Sequence, residues 1–269
     1  MILFAYKQFG ETMGRCMDRI RLEASFSPEI PITYAGRLDP MAEGLVLFLV
    51  GEIRHKKADF LGISKQYQVQ FLFGVSTDTY DVLGIPNQDS FVISDISIDQ
   101  VQKILNQQKN ITQSFPPYSS RRVSGKPLFM HAREQQEIPE ISRQVTLLQG
   151  WLQGKGLVYT KDVFQEKITI MKNIVGDFRQ DQIIDHWKSI LPTFPEQVSL
   201  FSATLEVSSG FYVRSWVHEL GNTLLVPSVT FSLLRDKIGV FTLSMLNNKS
   251  YRIFEDTDPF IVSFLSQDK

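Results

Sequence analysis

Residues 34–52 read Tyr34-Ala-Gly-Arg-Leu-Asp-Pro-Met-Ala-Glu-Gly-Leu-Val-Leu-Phe-Leu-Val-Gly-Glu52. One carboxylate, Asp39, stands directly before Pro40, which fixes its own φ and biases Asp39 toward extended geometry. A stiff turn is therefore predicted to carry the acid. Leu45 to Val50 is an unbroken apolar run that predicts a strand buried on both faces or a buried helical turn. Asp39 is either a reacting group held at the end of a buried element or an ordinary turn former.

The composition is that of a globular protein with ample material for a core. The chain has 269 residues, 43% hydrophobic content and a net charge of −1, which suit one large domain or two modest ones. The single cysteine, Cys16, excludes an internal disulfide framework and a thiolate-cluster zinc site. The four histidines lack ligand spacing, so a metal is not implied.

The charge and the apolar pattern also restrict the partners. A net charge of −1 argues against binding nucleic acid through bulk positive charge, but it permits a local basic surface. No apolar run approaches the roughly 18 residues of a membrane span, and the N-terminus lacks the features of a signal peptide. We therefore expect a cytoplasmic protein with no membrane partner; a monomer is the prior expectation for its oligomeric state.

Apolar periodicity predicts alternating helices and strands along the chain. Lys65 to Phe73 is the clearest strand, because Tyr67, Val69, Phe71 and Phe73 alternate with glutamines. We further predict helices over 12–23, 98–108 and 176–191, another helix from about 213, and strands over 143–149, 167–172 and 201–207.

A loop rich in hydrogen-bond donors begins near Phe115. It holds two prolines, a glycine and three serines, so it cannot be regular structure throughout. Its cations alternate with aromatic rings, a mixture used on phosphates and unstacked bases; they are Arg121, Arg122, Lys126, His131 and Arg133, with Tyr118 and Phe129 between them. Residues 118–133, which we call the basic loop, are either an RNA-binding element or an exposed loop without a partner.

Tyr67 and Arg214 each permit two interpretations. Tyr67 lies on the apolar face of its strand and is either a core tyrosine or a ring that stacks on a ligand. Arg214 lies near the start of a predicted helix, where a cation opposes the helix dipole, so it is either a surface arginine or one partner of an ion pair.

Four blocks of sequence, taken together, resemble the TruB family of RNA pseudouridine synthases. The first, Gly36-Arg-Leu-Asp-Pro-Met-Ala-Glu-Gly44, is similar to the loop that carries the catalytic aspartate of that family. The others are Lys65-Gln-Tyr67 with Thr77-Asp-Thr-Tyr-Asp81, then Pro116-Pro-Tyr-Ser through Lys126 and Arg133, and finally Ser209-Gly-Phe-Tyr-Val-Arg214 with Leu234-Arg-Asp-Lys-Ile-Gly239. The resemblance covers roughly residues 2–245.

The chain also departs from the family pattern. Tyr34-Ala35 replaces the usual His-Thr, and the Gly-Arg-Leu-Asp opening occurs as well in the RsuA and RluA branches, although the other blocks favour TruB. The segment 134–200 is longer than the pattern leads us to expect. After Leu243 only 26 residues remain, too few for the C-terminal PUA domain of many members, so RNA affinity is expected to rest on the catalytic domain.

The resemblance implies an α+β fold, with a central, mostly antiparallel mixed β-sheet flanked by helices and loops and an active-site cleft across the sheet. Residues 1–245 would form the pseudouridine synthase domain, in which 118–133 grip RNA and 134–200 form an extended insertion. Residues 246–269 would form a tail without a PUA domain.

The resemblance also implies an isomerase that converts uridine to pseudouridine without a cofactor, acting on tRNA at position 55 of the T arm. It assigns the catalytic acid to Asp39, the ring that stacks on the base to Tyr67 and the counter-charge to Arg214. The candidates for RNA contacts are Tyr34, Arg37, Tyr118, Arg121, Arg122, Lys126 and Arg133. The alternatives are a non-catalytic RNA-binding or tRNA-folding protein on the same scaffold, and a synthase that acts on another RNA.

Overall fold

A computed structural model describes residues 1–134 and 141–266 of the chain. Residues 135–140 of the predicted insertion and 267–269 of the predicted tail lie outside the described residues. The chain divides into two compact units. The first unit comprises Met1–Gln68, Glu206–Ser209 and Leu233–Lys269, and the second comprises Val69–Leu205 and Gly210–Ser232.

The helices and strands have the following bounds. The strands are β1 (Ile2–Lys7), β2 (Ile32–Ala35), β3 (Ala42–Val50), β4 (Lys65–Phe73), β5 (Asn110–Ser114), β6 (Arg122–Val123), β7 (Lys126–Pro127), β8 (Ser142–Tyr159), β9 (Gln197–Val207), β10 (Ser228–Ile238), β11 (Phe241–Thr242) and β12 (Tyr251–Phe254). The helices are α1 (Met13–Glu23), α2 (Lys57–Leu61), α3 (Ile98–Gln107), α4 (Leu128–Arg133), α5 (Thr160–Lys172), α6 (Gln180–Ile190), α7 (Val213–Leu224) and α8 (Pro259–Ser266).

The predicted α+β class with a large mixed sheet flanked by helices is confirmed. In the first unit the strand order runs β12-β1-β3-β10, and in the second unit it runs β10-β4-β9-β8-β5. β3 is antiparallel to β1 and β2 and parallel to β10. The strand predicted from Leu45 to Val50 is therefore an interior strand, and its side chains are buried on both faces.

Several predicted elements are confirmed together with the reason for their position. α1 begins after Thr12, whose hydroxyl accepts a hydrogen bond from the Arg15 amide at 3.2 Å. α3 begins after Ser97, which forms a reciprocal capping box with Gln100, so both helix starts follow from local side-chain chemistry. β4 buries Tyr67 and the apolar residues that alternate with its glutamines.

Aromatic side chains fill the core of the first unit. Phe4 of β1 stacks on Phe241 with ring centroids 3.8 Å apart, and Phe254 and Phe264 meet it edge-on. β12 and α8, from the segment predicted to be a tail, thus supply core residues to this unit.

In the second unit α5 and α6 pack around Trp187. The indole of Trp187 donates to the Val82 carbonyl at 3.0 Å, and its ring centroid lies 4.9 Å from that of Phe164. The prediction of a strand over 167–172 is wrong, because these residues end α5. Phe164, Ile168 and Met171 recur at helical spacing and are buried, so the 3.6-residue period outweighs the short apolar run.

Among the described residues, no helix has both the length and the apolar character needed to cross a membrane.

Candidate active site

Asp39 begins a tight turn that leads directly into β3. The amide of Ala42 donates to the Asp39 carbonyl at 3.1 Å, which closes a four-residue turn with Pro40 at its second position. Proline is favoured there because its fixed φ matches that of a β-turn. The Gly10 amide donates to the Pro40 carbonyl at 2.8 Å. The predicted stiff turn is confirmed, and it presents a half-buried Asp39 at the edge of an interior strand.

Lys7, the last residue of β1, stabilises this turn by donating to its backbone carbonyls. Its side chain is 0% exposed, and its ammonium donates to the carbonyls of Ala42 at 2.6 Å, Gln8 at 3.1 Å and Pro40 at 3.4 Å. Burial lowers the pKa of Lys7 to about 8, although the negative charge of the nearby Asp39 is among the influences that raise it. Lys7 is not among the residues predicted from the sequence; its signal there is a cation that ends an apolar strand.

Arg235 of β10 joins the Asp39 turn to Tyr67 within the first unit. The guanidinium, 1% exposed, donates to the carbonyls of Leu45 at 2.6 Å, Gly36 at 3.1 Å and Arg37 at 3.4 Å. Its Nη1 also lies 3.5 Å from the Tyr67 hydroxyl oxygen. Arg235 was noted only as part of a sequence block, without a role.

Tyr34 and Arg37 form a polar pair near the same turn. The Arg37 guanidinium donates to the Tyr34 hydroxyl at 2.6 Å and lies 5.6 Å from the centre of the tyrosine ring. The Lys57 ammonium lies 5.1 Å from that ring. Since Arg37 is exposed, this cluster offers cations around an aromatic ring to an incoming anion.

Arg214, the second residue of α7, is buried in the second unit. It is 2% exposed and donates to the carbonyls of Thr79 at 2.6 Å and Tyr118 at 3.4 Å. Its Nε lies 3.5 Å from a carboxylate oxygen of Asp81. The interpretation of Arg214 as a surface arginine is therefore wrong, and the burial of both charges calls for such pairing.

Asp81 is itself fixed by local hydrogen bonds. It accepts from the Leu83 amide at 2.8 Å and from the Thr79 hydroxyl at 2.9 Å. This pairing of Arg214 with Asp81 lies within the second unit. The predicted pairing of Arg214 with Asp39 joins residues of different units and stays a prediction.

The middle of the basic loop is a short hairpin. β6 and β7 pair, and Ser124 and Gly125 connect them with φ values of +51° and +82°, a geometry that two-residue hairpins favour. Arg122 of β6 and Arg121, which precedes it, are exposed. The Arg121 guanidinium lies 5.4 Å from the Phe115 ring centre, and Lys126 pairs with Glu134.

The two ends of the basic loop contact a turn that precedes α6. The Arg179 guanidinium lies 4.3 Å from the centre of the Tyr118 ring, and it pairs with Asp78 at 2.7 Å. Arg133 pairs with Asp177 at 3.5 Å. Arg179 was not a predicted site residue; it lies in 134–200, the segment predicted to be an insertion.

The structure thus places the predicted residues in two groups. Asp39, Tyr67, Tyr34 and Arg37 belong to the first unit, and Arg235 links Asp39's turn to Tyr67. The second unit holds the remaining predicted residues, which are Arg214, Tyr118, Arg121, Arg122, Lys126 and Arg133. The first group offers a carboxylate and a phenol ring; the second offers cations suited to phosphates.

Comparison with known proteins gives consistent matches. Residues 28–154 match the family described as TruB family pseudouridylate synthase (N terminal domain). The tRNA pseudouridine synthase B of Limosilactobacillus reuteri is 28% identical over 244 residues, which are 90% of this chain and 68% of that protein. The tRNA pseudouridine synthase 4 of Schizosaccharomyces pombe is 26% identical over 285 residues, covering 84% of this chain and 69% of that protein.

Among solved structures, a crystal structure of a Cbf5-Nop10-Gar1 complex has the same fold. The TM-score is 0.53 at 14% sequence identity, and the match covers 90% of this chain and 49% of that chain. The chain therefore spans about half the length of this solved relative.

Proposed function

Because residues 28–154 match the TruB family of pseudouridylate synthases, we propose that the chain is a member of that family and that it isomerises uridine to pseudouridine in tRNA. Its relatives carry the name tRNA pseudouridine synthase, and the matches extend over most of the chain. The reaction breaks a glycosidic bond, turns the freed uracil and rejoins it through carbon. It needs a carboxylate, a ring to hold the base and a counter-charge, but no redox change.

We propose Asp39 as the catalytic acid residue, Tyr67 as the ring that stacks on the base and Arg214 as the counter-charge. The observation that carries this assignment is the way the first unit holds Asp39. A proline turn, the buried Lys7 and the buried Arg235 fix its backbone, and Arg235 reaches the Tyr67 hydroxyl as well. A reacting group held so rigidly suits catalysis, which depends on preorganised geometry.

The proposed substrate is the uridine at position 55 in the T arm. A stacked uridine cannot reach a half-buried acid, so it must be flipped out, at a cost of a few kcal/mol that contacts to the flipped nucleotide offset. The proposed RNA contacts are Tyr34, Arg37, Tyr118, Arg121, Arg122, Lys126 and Arg133.

We propose that residues 1–245 form the catalytic domain. β12 and α8 follow this range and contribute Phe254 and Phe264 to the core of the first unit, so the segment after residue 245 is a structural part of the first unit.

The test is to incubate the protein with a tRNA transcript labelled at its uridines and to measure pseudouridine. Wild type should form product, whereas Asp39→Asn, which preserves size and removes the charge, should lose at least about a thousandfold in kcat, as expected when an essential covalent or acid group is removed. A transcript with cytidine at position 55 is the substrate control and should give no product.

Each failure has its own meaning. Binding of the transcript without product from wild type would contradict the enzyme and favour the RNA-binding alternative. Equal rates for wild type and Asp39→Asn would remove Asp39 from the mechanism. Product from the cytidine-55 transcript would show that another uridine is used.

A further inference from the structure

The turn before α6 adopts an unusual backbone conformation at Arg179. Its φ is +62° and its ψ is 30°, the left-handed region, which few residues other than glycine, asparagine and aspartate adopt. The Asp177 side chain accepts from the Arg179 amide at 3.2 Å. This turn directs a partly buried arginine side chain, 19% exposed, onto Asp78 and Tyr118.

Arg179 makes two kinds of contact at once. One nitrogen lies 2.7 Å from a carboxylate oxygen of Asp78, and the guanidinium carbon lies 4.3 Å from the Tyr118 ring centre. A planar guanidinium can pair with a carboxylate and stack on a ring simultaneously, whereas a lysine ammonium cannot do both in the same way.

Asp78 is shared by three groups. Its carboxylate accepts hydrogen bonds from the Arg179 guanidinium and from the Ile85 amide, the latter at 2.8 Å. Burial raises the pKa of the Tyr118 phenol, and the negative charge of Asp78 and a hydrogen bond to Asp78 raise it further. Arg179, Asp78 and Tyr118 therefore form a compact cluster of side chains.

The same turn also reaches the other end of the basic loop. Arg133, the last residue of α4, donates to the carboxylate and to the carbonyl of Asp177. The turn 177–179 thus contacts Tyr118 at the start of the basic loop and Arg133 at its end.

The segments joined by Arg179 are those that hold Arg214. The Arg214 guanidinium donates to the carbonyls of Thr79 and Tyr118. Thr79 directly follows Asp78, and Tyr118 begins the basic loop. We infer that Arg179 is a positioning residue, which fixes the basic loop against the Thr77–Asp81 segment in the arrangement that receives RNA. The RNA part of this inference rests on the proposed function.

A first experiment measures how often the basic loop opens in the absence of RNA. Trypsin cleaves after exposed arginines, so the rate of cleavage after Arg121 and Arg122, resolved by mass spectrometry, reports opening of the loop. We expect Arg179→Ala to raise this rate about tenfold, because local opening controls cleavage of a folded segment. Arg179→Lys should give an intermediate rate. The control, Lys188→Ala, removes an exposed cation of the same α6 and should cleave like wild type.

A second experiment measures KM and kcat for the modification of tRNA. For Arg179→Ala we expect KM to rise about tenfold while kcat changes by less than about threefold, because the loop must be ordered at the moment of binding. In a Tyr118→Ala background the same substitution should add less than about twofold, since contacting residues act as a unit. Circular dichroism at the assay temperature establishes that each variant is folded.

The outcomes separate this inference from the proposed function. Trypsin rates for Arg179→Ala equal to those of Lys188→Ala would overturn it, and so would an unchanged KM or a fully additive effect with Tyr118→Ala. If wild type forms no pseudouridine, the proposed function fails, but the trypsin rates still decide whether Arg179 fixes the loop.

Discussion

Two buried cations, Lys7 and Arg235, define the surroundings of Asp39 at the scale of single residues. Both donate to backbone carbonyls of the segment from Gly36 to Leu45. Charge-assisted hydrogen bonds of this kind are stronger than neutral ones. Lys7 and Arg235 therefore contribute to the rigidity of the turn.

Lys7 leads to a prediction about stability and pH. Its pKa is about 8 in the folded protein against an ordinary value of 10.5. Below pH 8 it is protonated in both states, so burial of the charge opposes folding; between these values the folded state releases its proton first. The free energy of unfolding should therefore gain a contribution from Lys7 as pH rises through this window, up to about 3 kcal/mol in total.

The measurement is urea unfolding of wild type and Lys7→Met at about pH 7 and about pH 10, within the window set by the two pKa values. The free energy of unfolding of wild type, relative to that of Lys7→Met, should be larger at the higher pH. Lys56→Met removes an exposed lysine and should show a difference that does not depend on pH. The same pH dependence in both variants would contradict the prediction.

Sequence reasoning found the residues whose chemistry is visible in a local pattern. Asp39 stands beside a proline, and Tyr67 lies on an alternating strand, so both could be selected without a structure. Lys7 and Arg235 were missed because their partners are backbone carbonyls of distant segments, such as Leu45 for Arg235. No spacing rule along the chain reports such contacts.

At the scale of elements, Gly44 determines how closely β3 and β10 approach. It faces Arg235 in the parallel register, and a Cβ atom placed on it would lie 2.3 Å from the Arg235 carbonyl oxygen. Its φ of +105° also disfavours any L side chain. The same strand pairing positions the Arg235 side chain, so it couples backbone packing to the Asp39 turn.

We expect Gly44→Ala to be strongly destabilising, both because of its positive φ and because its Cβ position is blocked. Gly51→Ala separates these two causes. Gly51 has a φ of +78° but open space at its Cβ position, so Gly51→Ala measures conformational strain alone, about 1 kcal/mol. Gly44→Ala should cost about 1–3 kcal/mol more because of overpacking. Urea unfolding measures both values, and equal losses would show that β3 and β10 can separate at no cost.

The elements that could be predicted are those with a long periodic signal or a local cap, such as β4 and α3. The strand predicted over 167–172 failed because a six-residue window is too short to separate alternation from helical spacing. The full α5, with Phe164, Ile168 and Met171 on one face, requires a window of at least two turns.

At the scale of the whole molecule, a net charge of −1 means that RNA affinity must come from localised cations. We expect tRNA binding to weaken with salt, and Arg121→Gln to reduce the slope of log K against log salt by about one. Filter binding at several salt concentrations measures this slope. Lys161→Gln removes an exposed cation of α5 outside the basic loop and should leave the slope unchanged. An equal change of slope in the two variants would contradict a localised contact.

The division into two units could not be predicted from the sequence. The first unit is assembled from three separate chain segments, and β4, β9 and β10 pass from one unit into the other. Three of the four crossings lie within a regular strand, and the fourth lies between Ser209 and Gly210, in the short turn between β9 and α7. A boundary without a linker leaves no compositional signal.

The aromatic core of the first unit has a consequence for the time at which this unit can fold on the ribosome. Phe4 is synthesised early, but Phe241, Phe254 and Phe264, which surround it, follow only after the entire second unit. At about 5–20 residues per second the interval is roughly 10–50 s. During that time β1 and β3 of the nascent chain expose apolar surface that lacks its later partners, so the second unit completes its core before the first.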